Sequence, residues 1–162
     1  MIKDKRNYLI FNVIEMIHEK KPDYIMIENV PRFLKLLLPY NNELMSIKDI
    51  LYKEFSSKYK IDIEVLDSSD FGVPQKRLRA IIKLYKKQLV WEWPTRKDKI
   101  ISVFDAVGHL PSLESDESSS IPWHYARKHV DKHVLWMKNT PTGKSAFEND
   151  IYYPKKDNGD KI

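Results

Sequence analysis

Two short stretches of the chain hold groups whose types and spacing could do chemistry together: Glu28-Asn29-Val30 and Gln75-Lys76-Arg77-Leu78-Arg79. Glu28 closes an apolar run, Tyr24 to Ile27, that reads as a strand. A partly desolvated carboxyl group at a strand end can have a raised pKa, hold a proton, or accept a hydrogen bond from an amine. Arg77 and Arg79 stand two residues apart at the mouth of a second apolar run, Ala80 to Leu84. Side chains two apart on a strand point the same way, so both guanidinium groups can face one pocket and hold a carbonyl oxygen, a phosphate or a carboxylate. Plainer roles are also open: Glu28 capping the next turn or pairing with a surface lysine, and two solvated arginines on an edge strand. The chain has no cysteine, which removes thiol nucleophiles, thiolate metal sites and disulfides together.

The elements that must position these groups follow from hydrophobic spacing. Leu9, Ile10, Val13, Ile14 and Ile17 fall on one face of a predicted helix, with Asp4 or Asn7 as a cap and Lys20-Lys21-Pro22 as a stop. Tyr24 to Glu28 shows no polar alternation, the pattern of a strand covered on both faces in an α/β sheet. After Pro31 a short apolar stretch ends at Pro39. Asn41 or Asn42 can then cap a second helix with Leu44, Ile47, Leu51 and Phe55 on one face, closing near Tyr59. Ile61, Ile63 and Val65 alternate with Asp62 and Glu64, so two strands flank the polar loop from Asp67 to Arg77. That loop sits at a strand end, where α/β sheets usually place ligands.

From Trp91 the texture changes. Trp91-Glu92-Trp93-Pro94 precedes a short helix whose Ser102 and Asp105 make a capping pattern, and the stretch from Pro111 to Ser120 is rich in serine and acid. Pro122 to His129 and Asp131 to Asn139 together suggest one more helix. Trp123, His124, Tyr125, Arg127, Lys128 and His129 mix aromatics with cations, as a DNA-contacting surface does, although the tryptophans could equally form a buried cluster. His129 and His133 are spaced i, i+4, yet no third ligand accompanies them and no metal site is expected. Thr140 to Ser145 lacks the leading glycine of a phosphate loop; it reads as a turn that could touch a DNA phosphate through Lys144 and Ser145.

Composition sets the outer bounds. A chain of 162 residues with 42% hydrophobic content suffices for one domain, or part of one joined to a small module. Net charge +5 and a pI near 9.2 fit a nucleic-acid partner. No apolar run approaches the roughly 20 residues of a membrane span, and no signal-peptide pattern opens the chain, so a cytoplasmic location is expected.

In order and context, these motifs resemble those of the DNA (cytosine-5) methyltransferase family. The similarity lies in Lys21-Pro-Asp-Tyr-Ile-Met-Ile-Glu-Asn-Val-Pro31, in Asp67-Ser-Ser-Asp-Phe-Gly-Val-Pro-Gln-Lys-Arg-Leu-Arg79, and in Asp4-Lys-Arg-Asn-Tyr-Leu9, and it runs over residues 5 to 85. The resemblance implies an α/β fold, the C-terminal part of a Rossmann-like methyltransferase sheet followed by an irregular α+β target recognition region. Residues 1–88 would be the partial catalytic domain and residues 89–162 the partial recognition region. It places Glu28, Arg77 and Arg79 as catalytic, Asn29 and Gln75 as supporting, and Lys76, Arg127, Lys128, Lys144 and Ser145 against DNA. Glu28 should lie at the C-terminal end of a central strand, with Arg77 and Arg79 on its neighbour facing the same cleft.

C5 of cytosine is a poor nucleophile until something adds at C6. An enzyme must therefore supply a nucleophile, a proton or hydrogen bond at N3, a contact to O2 and a methyl donor. The resemblance implies S-adenosylmethionine as donor and a flipped cytosine in double-stranded DNA as substrate, in a restriction-modification setting. The family's Phe-x-Gly-x-Gly donor loop and its nucleophilic Pro-Cys dipeptide do not occur in the 162 residues and are expected to precede residue 1. Two functions of different class are therefore open. The chain is a segment of such an enzyme, inactive alone and completed by a complementary segment carrying Pro-Cys, or it is a non-catalytic DNA-binding subunit or gene remnant.

Overall fold

The computed structural model describes residues 4–162. It divides into two units, Met1–Gly108 and His109–Ile162. In the first, a 3-10 turn at Lys5–Tyr8 leads into helix α1, Leu9–Lys20. Asp4 caps the turn by accepting from the backbone N of Arg6 at 3.0 Å. Lys21, in the left-handed region at φ 49°, ends α1 by donating its backbone N–H to the Ile17 carbonyl at 2.9 Å. Ile10, Ile14 and Ile17 are the buried face.

Three strands follow in the sheet that carries the candidate site: β1, Tyr24–Asn29; β4, Tyr59–Asp67; and β5, Leu78–Lys86. Their order is β1-β5-β4 and both pairings are antiparallel, so β5 is central and β1 is an edge among the described residues. The expectation of a central strand beneath Glu28 is corrected accordingly. So is the expectation that this strand is covered on both faces. Ile25 and Ile27 pack on the core, while Tyr24 and Met26 on the other face are 48% and 63% exposed. An unbroken apolar run is a weak guide here, because tyrosine and methionine tolerate a half-exposed face.

Between β1 and β4 the chain makes a hairpin that was not anticipated. Leu37–Tyr40 (β2) pairs with Glu43–Ser46 (β3) across Asn41 and Asn42, which have φ of 50° and 65°. Positive φ at both central residues is the signature of a type I′ turn, and asparagine is among the few residues that adopt it readily. The asparagines therefore turn a hairpin rather than cap a helix. Helix α2 starts later, Ile47–Phe55, with the Ser46 Oγ accepting from the backbone N of Asp49 at 3.2 Å. Ile47, Ile50, Leu51 and Phe55 bury against Leu38, Ile82, Leu84 and the α1 isoleucines to form the core.

Part of the second face of the sheet, over Lys83, is covered from nearby in the chain. Lys83 is buried, its Nζ lying 3.8 Å from the Trp93 ring centre and 5.3 Å from that of Trp91, and donating to the Trp91 carbonyl at 2.6 Å. Desolvated cation–π contacts of this kind are worth about 2 kcal/mol. Trp91 also meets Tyr24 and Tyr85 edge-on. Residues 89–108 thus lie in the first compact unit, which ends at Gly108, 17 residues beyond the change of texture at Trp91. Helix α3, Val103–Val107, has the expected capping box between Ser102 and Asp105.

The second unit is irregular. Its longest element is helix α4, Asp131–Lys138; the stretch 122–130 ahead of it is not helical. Asn149 is its buried polar centre, donating through Nδ2 to the carbonyls of Trp136 at 3.0 Å and Tyr152 at 2.7 Å. The mixed α/β architecture agrees with the expected fold class. Among the described residues no helix is long and apolar enough to cross a membrane.

Candidate active site

In the ladder, Glu28 lies opposite Ile81, and Arg79 precedes Ile81 by two residues on β5. Glu28 and Arg79 therefore emerge on the same face of the sheet, away from the Ile82 and Leu84 face that packs on the helices. Their heads meet: Arg79 Nε is 2.6 Å from Glu28 Oε1, with Arg79 mostly covered and Glu28 about half exposed. Arg79 Nη1 also donates to the Leu78 carbonyl at 2.8 Å, which fixes the plane of the guanidinium. Glu28 keeps a second oxygen, and half its surface, open to a ligand.

Arg77 is not brought into this contact. It lies one residue before β5, and its backbone is held instead: its N–H donates to Asp67 Oδ1 at 2.9 Å and its carbonyl accepts from the Ser68 N–H at 3.1 Å. Among the described residues its exposed guanidinium has no ion-pair or hydrogen-bond partner. Asn29 turns its side chain back on the main chain, accepting from the Val30 N–H at 2.8 Å and so shaping the exit from β1 into Pro31. Gln75 bridges a tight turn, its N–H donating to the Val73 carbonyl at 2.7 Å, and its side chain and that of Lys76 are exposed.

Asp67 organises this loop, and sequence reasoning assigned it no role. It caps the 3-10 turn Ser68–Phe71 and also holds Arg77; the backbone N–H of Arg77 first, then that of Ser69, keeps its carboxyl below the usual range. An aspartate followed by two serines is a common turn-capping signal and could have revealed it. Gly72, at φ 83°, ends the turn in a conformation that favours glycine. Beside the loop, Asp67, Gln75, Lys76, Ile101 and Ser102 line a cleft of about 440 Å³.

The remaining residues singled out from sequence lie in the second unit. Lys128 pairs with Asp116 at 3.6 Å, and Lys144 with Glu148 at 3.1 Å. Ser145 forms a capping box with Glu148 around the 3-10 turn Ala146–Glu148, and Gly143 has φ 78°, so Thr140 to Ser145 is a turn. Arg127 is exposed. His133 lies against the Trp136 ring at 4.9 Å, and no group of three His, Cys, Asp or Glu side chains that could hold a metal occurs among the described residues.

The Glu28–Arg79 arrangement can hold a polar planar ring by its edge: a carboxyl group for a ring nitrogen and an exocyclic amine, a guanidinium for a carbonyl oxygen. A donor-binding loop does not fit the residues present, because none of the four glycines, at 72, 108, 143 and 159, stands two apart from another.

Comparison with known proteins agrees with the motif order. The family model described as C-5 cytosine-specific DNA methylase matches residues 1–162. The type II methyltransferase M1.HgaI of Avibacterium volantium is 54% identical over 162 residues, which are 100% of this chain and 45% of that protein. M1.HphI of Haemophilus parahaemolyticus is 30% identical over 150 residues, 91% of this chain and 38% of that protein. A solved structure described as a DNA modification methyltransferase encoded within an E. coli prophage superposes with a TM-score of 0.55 at 25% identity, covering 79% of this chain and 37% of that one. The chain thus spans less than half the length of these relatives. With the family model matching from end to end, this chain belongs to the C-5 cytosine-specific DNA methylase family.

Proposed function

We propose that the chain is the base-holding segment of an S-adenosylmethionine-dependent DNA (cytosine-5) methyltransferase of a restriction-modification system, acting in the cytoplasm on double-stranded DNA. The observation that carries this reading is the 2.6 Å contact between Glu28 and Arg79 on one face of the sheet. Glu28 holds a proton or hydrogen bond at N3 of an extruded cytosine and accepts from its exocyclic amine through the free oxygen. Arg79 orients that carboxyl group and reaches the pyrimidine O2; Arg77, with no side-chain partner among the described residues, takes the flanking phosphate. Asn29 and Gln75 shape the two loops. Residues 1–88 serve the catalytic domain and residues 89–162 target recognition, with Lys76, Arg127, Lys128, Lys144 and Ser145 against the DNA backbone.

The donor supplies the methyl group in the complete enzyme, and the residues of this chain do not build its main loop. The nucleophile is also missing, since the chain contains no cysteine. The isolated chain is therefore inactive and needs a complementary segment carrying the Pro-Cys and Phe-x-Gly-x-Gly loops. The test is transfer of labelled methyl to DNA by the purified chain alone and after that segment is supplied from a full-length relative. No incorporation is expected in the first case and incorporation in the second. Transfer by the chain alone would refute the need for the cysteine segment. DNA binding with no transfer under either condition would favour the non-catalytic DNA-binding subunit, which the absent cysteine makes the second reading.

A further inference from the structure

The second unit carries a residue held in an unfavourable backbone conformation with its side chain in water. Trp123 has φ 66°, and its side chain is 93% exposed, more than any other large hydrophobic residue described. The His124 N–H donates to the Ile121 carbonyl at 3.1 Å, closing a four-residue turn with Pro122 and Trp123 at its centre. Proline cannot take positive φ, so the turn is of type II, whose third position favours glycine or asparagine. A bulky residue there costs on the order of 1–3 kcal/mol and persists only where the surroundings over-determine it.

They do so here. The Ser119 Oγ accepts from the Ile121 N–H at 3.1 Å and is hydrogen bonded to His124 Nδ1 at 2.8 Å. The Ser119 N–H donates to the His124 carbonyl at 3.1 Å, Ser118 bridges Tyr125, and the Ala126 N–H donates to the Glu117 carbonyl at 2.8 Å. A small hairpin is thus built to present an indole at its tip, with little among the described residues covering the ring. Exposed Tyr125 and Arg127 follow within four residues along the chain.

We propose that Trp123 is a base-stacking residue: the indole packs on the face of a DNA base at an opened or weakly stacked step. This rests on the recognition role proposed for the region and adds a named contact of a chemistry other than phosphate pairing. A rigid, presented aromatic beside a cation is what stacking on a base requires, and such a contact depends little on which base is offered. A DNA partner is favoured over a protein partner by the exposed Arg127, two residues after Tyr125, whose guanidinium has no acidic partner among the described residues.

The test compares binding of the 162-residue chain to a fluorescent DNA duplex and to the same duplex carrying one abasic site, where a ring can enter without unstacking a base. The parent should bind the abasic duplex about fivefold or more tighter than the intact one. Trp123→Phe should keep part of that preference. Trp123→Gly should bind both duplexes alike with an unchanged salt slope, and should melt no lower than the parent, because glycine suits the turn.

Equal binding of both duplexes by the parent, or a preference kept by Trp123→Gly, overturns the stacking role and leaves DNA recognition standing. A clear fall in the melting temperature of Trp123→Gly would assign the ring to packing instead. Self-association of the parent that Trp123→Gly abolishes would assign it to a protein contact and overturn the inference. If the parent binds neither duplex, the proposed recognition function fails and takes this inference with it.

Discussion

Arg79 Nε lies 2.6 Å from Glu28 Oε1, joining the central strand of the sheet to its edge strand on the face away from the helices. The two residues are diagonal neighbours across the β1–β5 ladder, close enough for long side chains to meet. One partner is mostly covered and the other half exposed, so the pair contributes little to stability and much to orientation.

In an enzyme completed with the upstream segment, Glu28→Gln keeps the size of the side chain but cannot exchange a proton. The single-turnover rate should fall about a hundredfold or more, with DNA affinity nearly unchanged. Arg79→Lys keeps the charge but loses the planar fork, and should lower the rate in the same assay. An unchanged rate for Glu28→Gln returns Glu28 to a surface ion pair.

Lys144→Ala should weaken binding to all duplex sequences alike and reduce the slope of log K against log salt by about one unit. The ammonium now rests on Glu148 at 3.1 Å in a half-exposed pair, which a DNA phosphate can displace at small cost. A salt titration on two unrelated duplexes measures both quantities. An unchanged slope would remove Lys144 from the DNA surface.

Stability should depend on pH at both extremes through Tyr40 and Glu54. The Tyr40 hydroxyl donates to Glu54, which is also hydrogen bonded to His18 Nε2 at 2.7 Å, tying the hairpin and α1 to α2. That bond from Tyr40 is the largest cause holding the Glu54 carboxyl below its ordinary value. The folded state binds this proton less readily than the unfolded chain, so the contribution is present above the unfolded value and is lost as pH falls through the folded one. Tyr40 has the opposite sign. Its hydroxyl is pushed up to about 12, first by the bond to Glu54, so its contribution is complete below the ordinary value of 10.0 and is lost between there and about 12. Urea melts across pH should show both losses, and Tyr40→Phe should remove the alkaline one.

At the β2–β3 turn, Asn42→Gly should stabilise the first unit. Residue 42 sits at φ 65°, where glycine has no Cβ penalty, and asparagine-glycine is the favoured pair for this turn. A gain of about 0.5 kcal/mol is expected, a rise of roughly 2–4 °C in Tm. Asn42→Val should lower Tm, and the pair of variants distinguishes turn geometry from side-chain contacts.

Local chemistry was legible in the sequence, and chemistry that needs a partner far along the chain was not. Helix α1, the β4 alternation and the Ser102–Asp105 capping box announce themselves within a few residues. The face shared by Glu28 and Arg79 was accessible because both motifs sit at strand ends and side chains alternate with a period of two. Asn41-Asn42 misled because asparagine serves both helix caps and left-handed turns, and only pairing of the flanking strands decides between them. Lys83 looks like any surface lysine on a strand until Trp91 and Trp93 fold over it. For Trp123 the sequence left a DNA-contacting surface and a buried cluster equally open, since spacing carries no information about φ or about the turn that holds the ring in solvent.

The edge position of β1 bears on how firmly Glu28 is held. Among the described residues β1 has a ladder on one side only, toward β5. Its outward amides have no ladder partner among the described residues, so deuterium should replace their hydrogens before those of β5, whose amides are paired on both sides. Glu28 thus rides on one of the two edge strands of the sheet, and Arg79 on the central strand. A strand laid along that free edge would slow the exchange and stiffen the carboxylate's footing without touching the carboxylate itself.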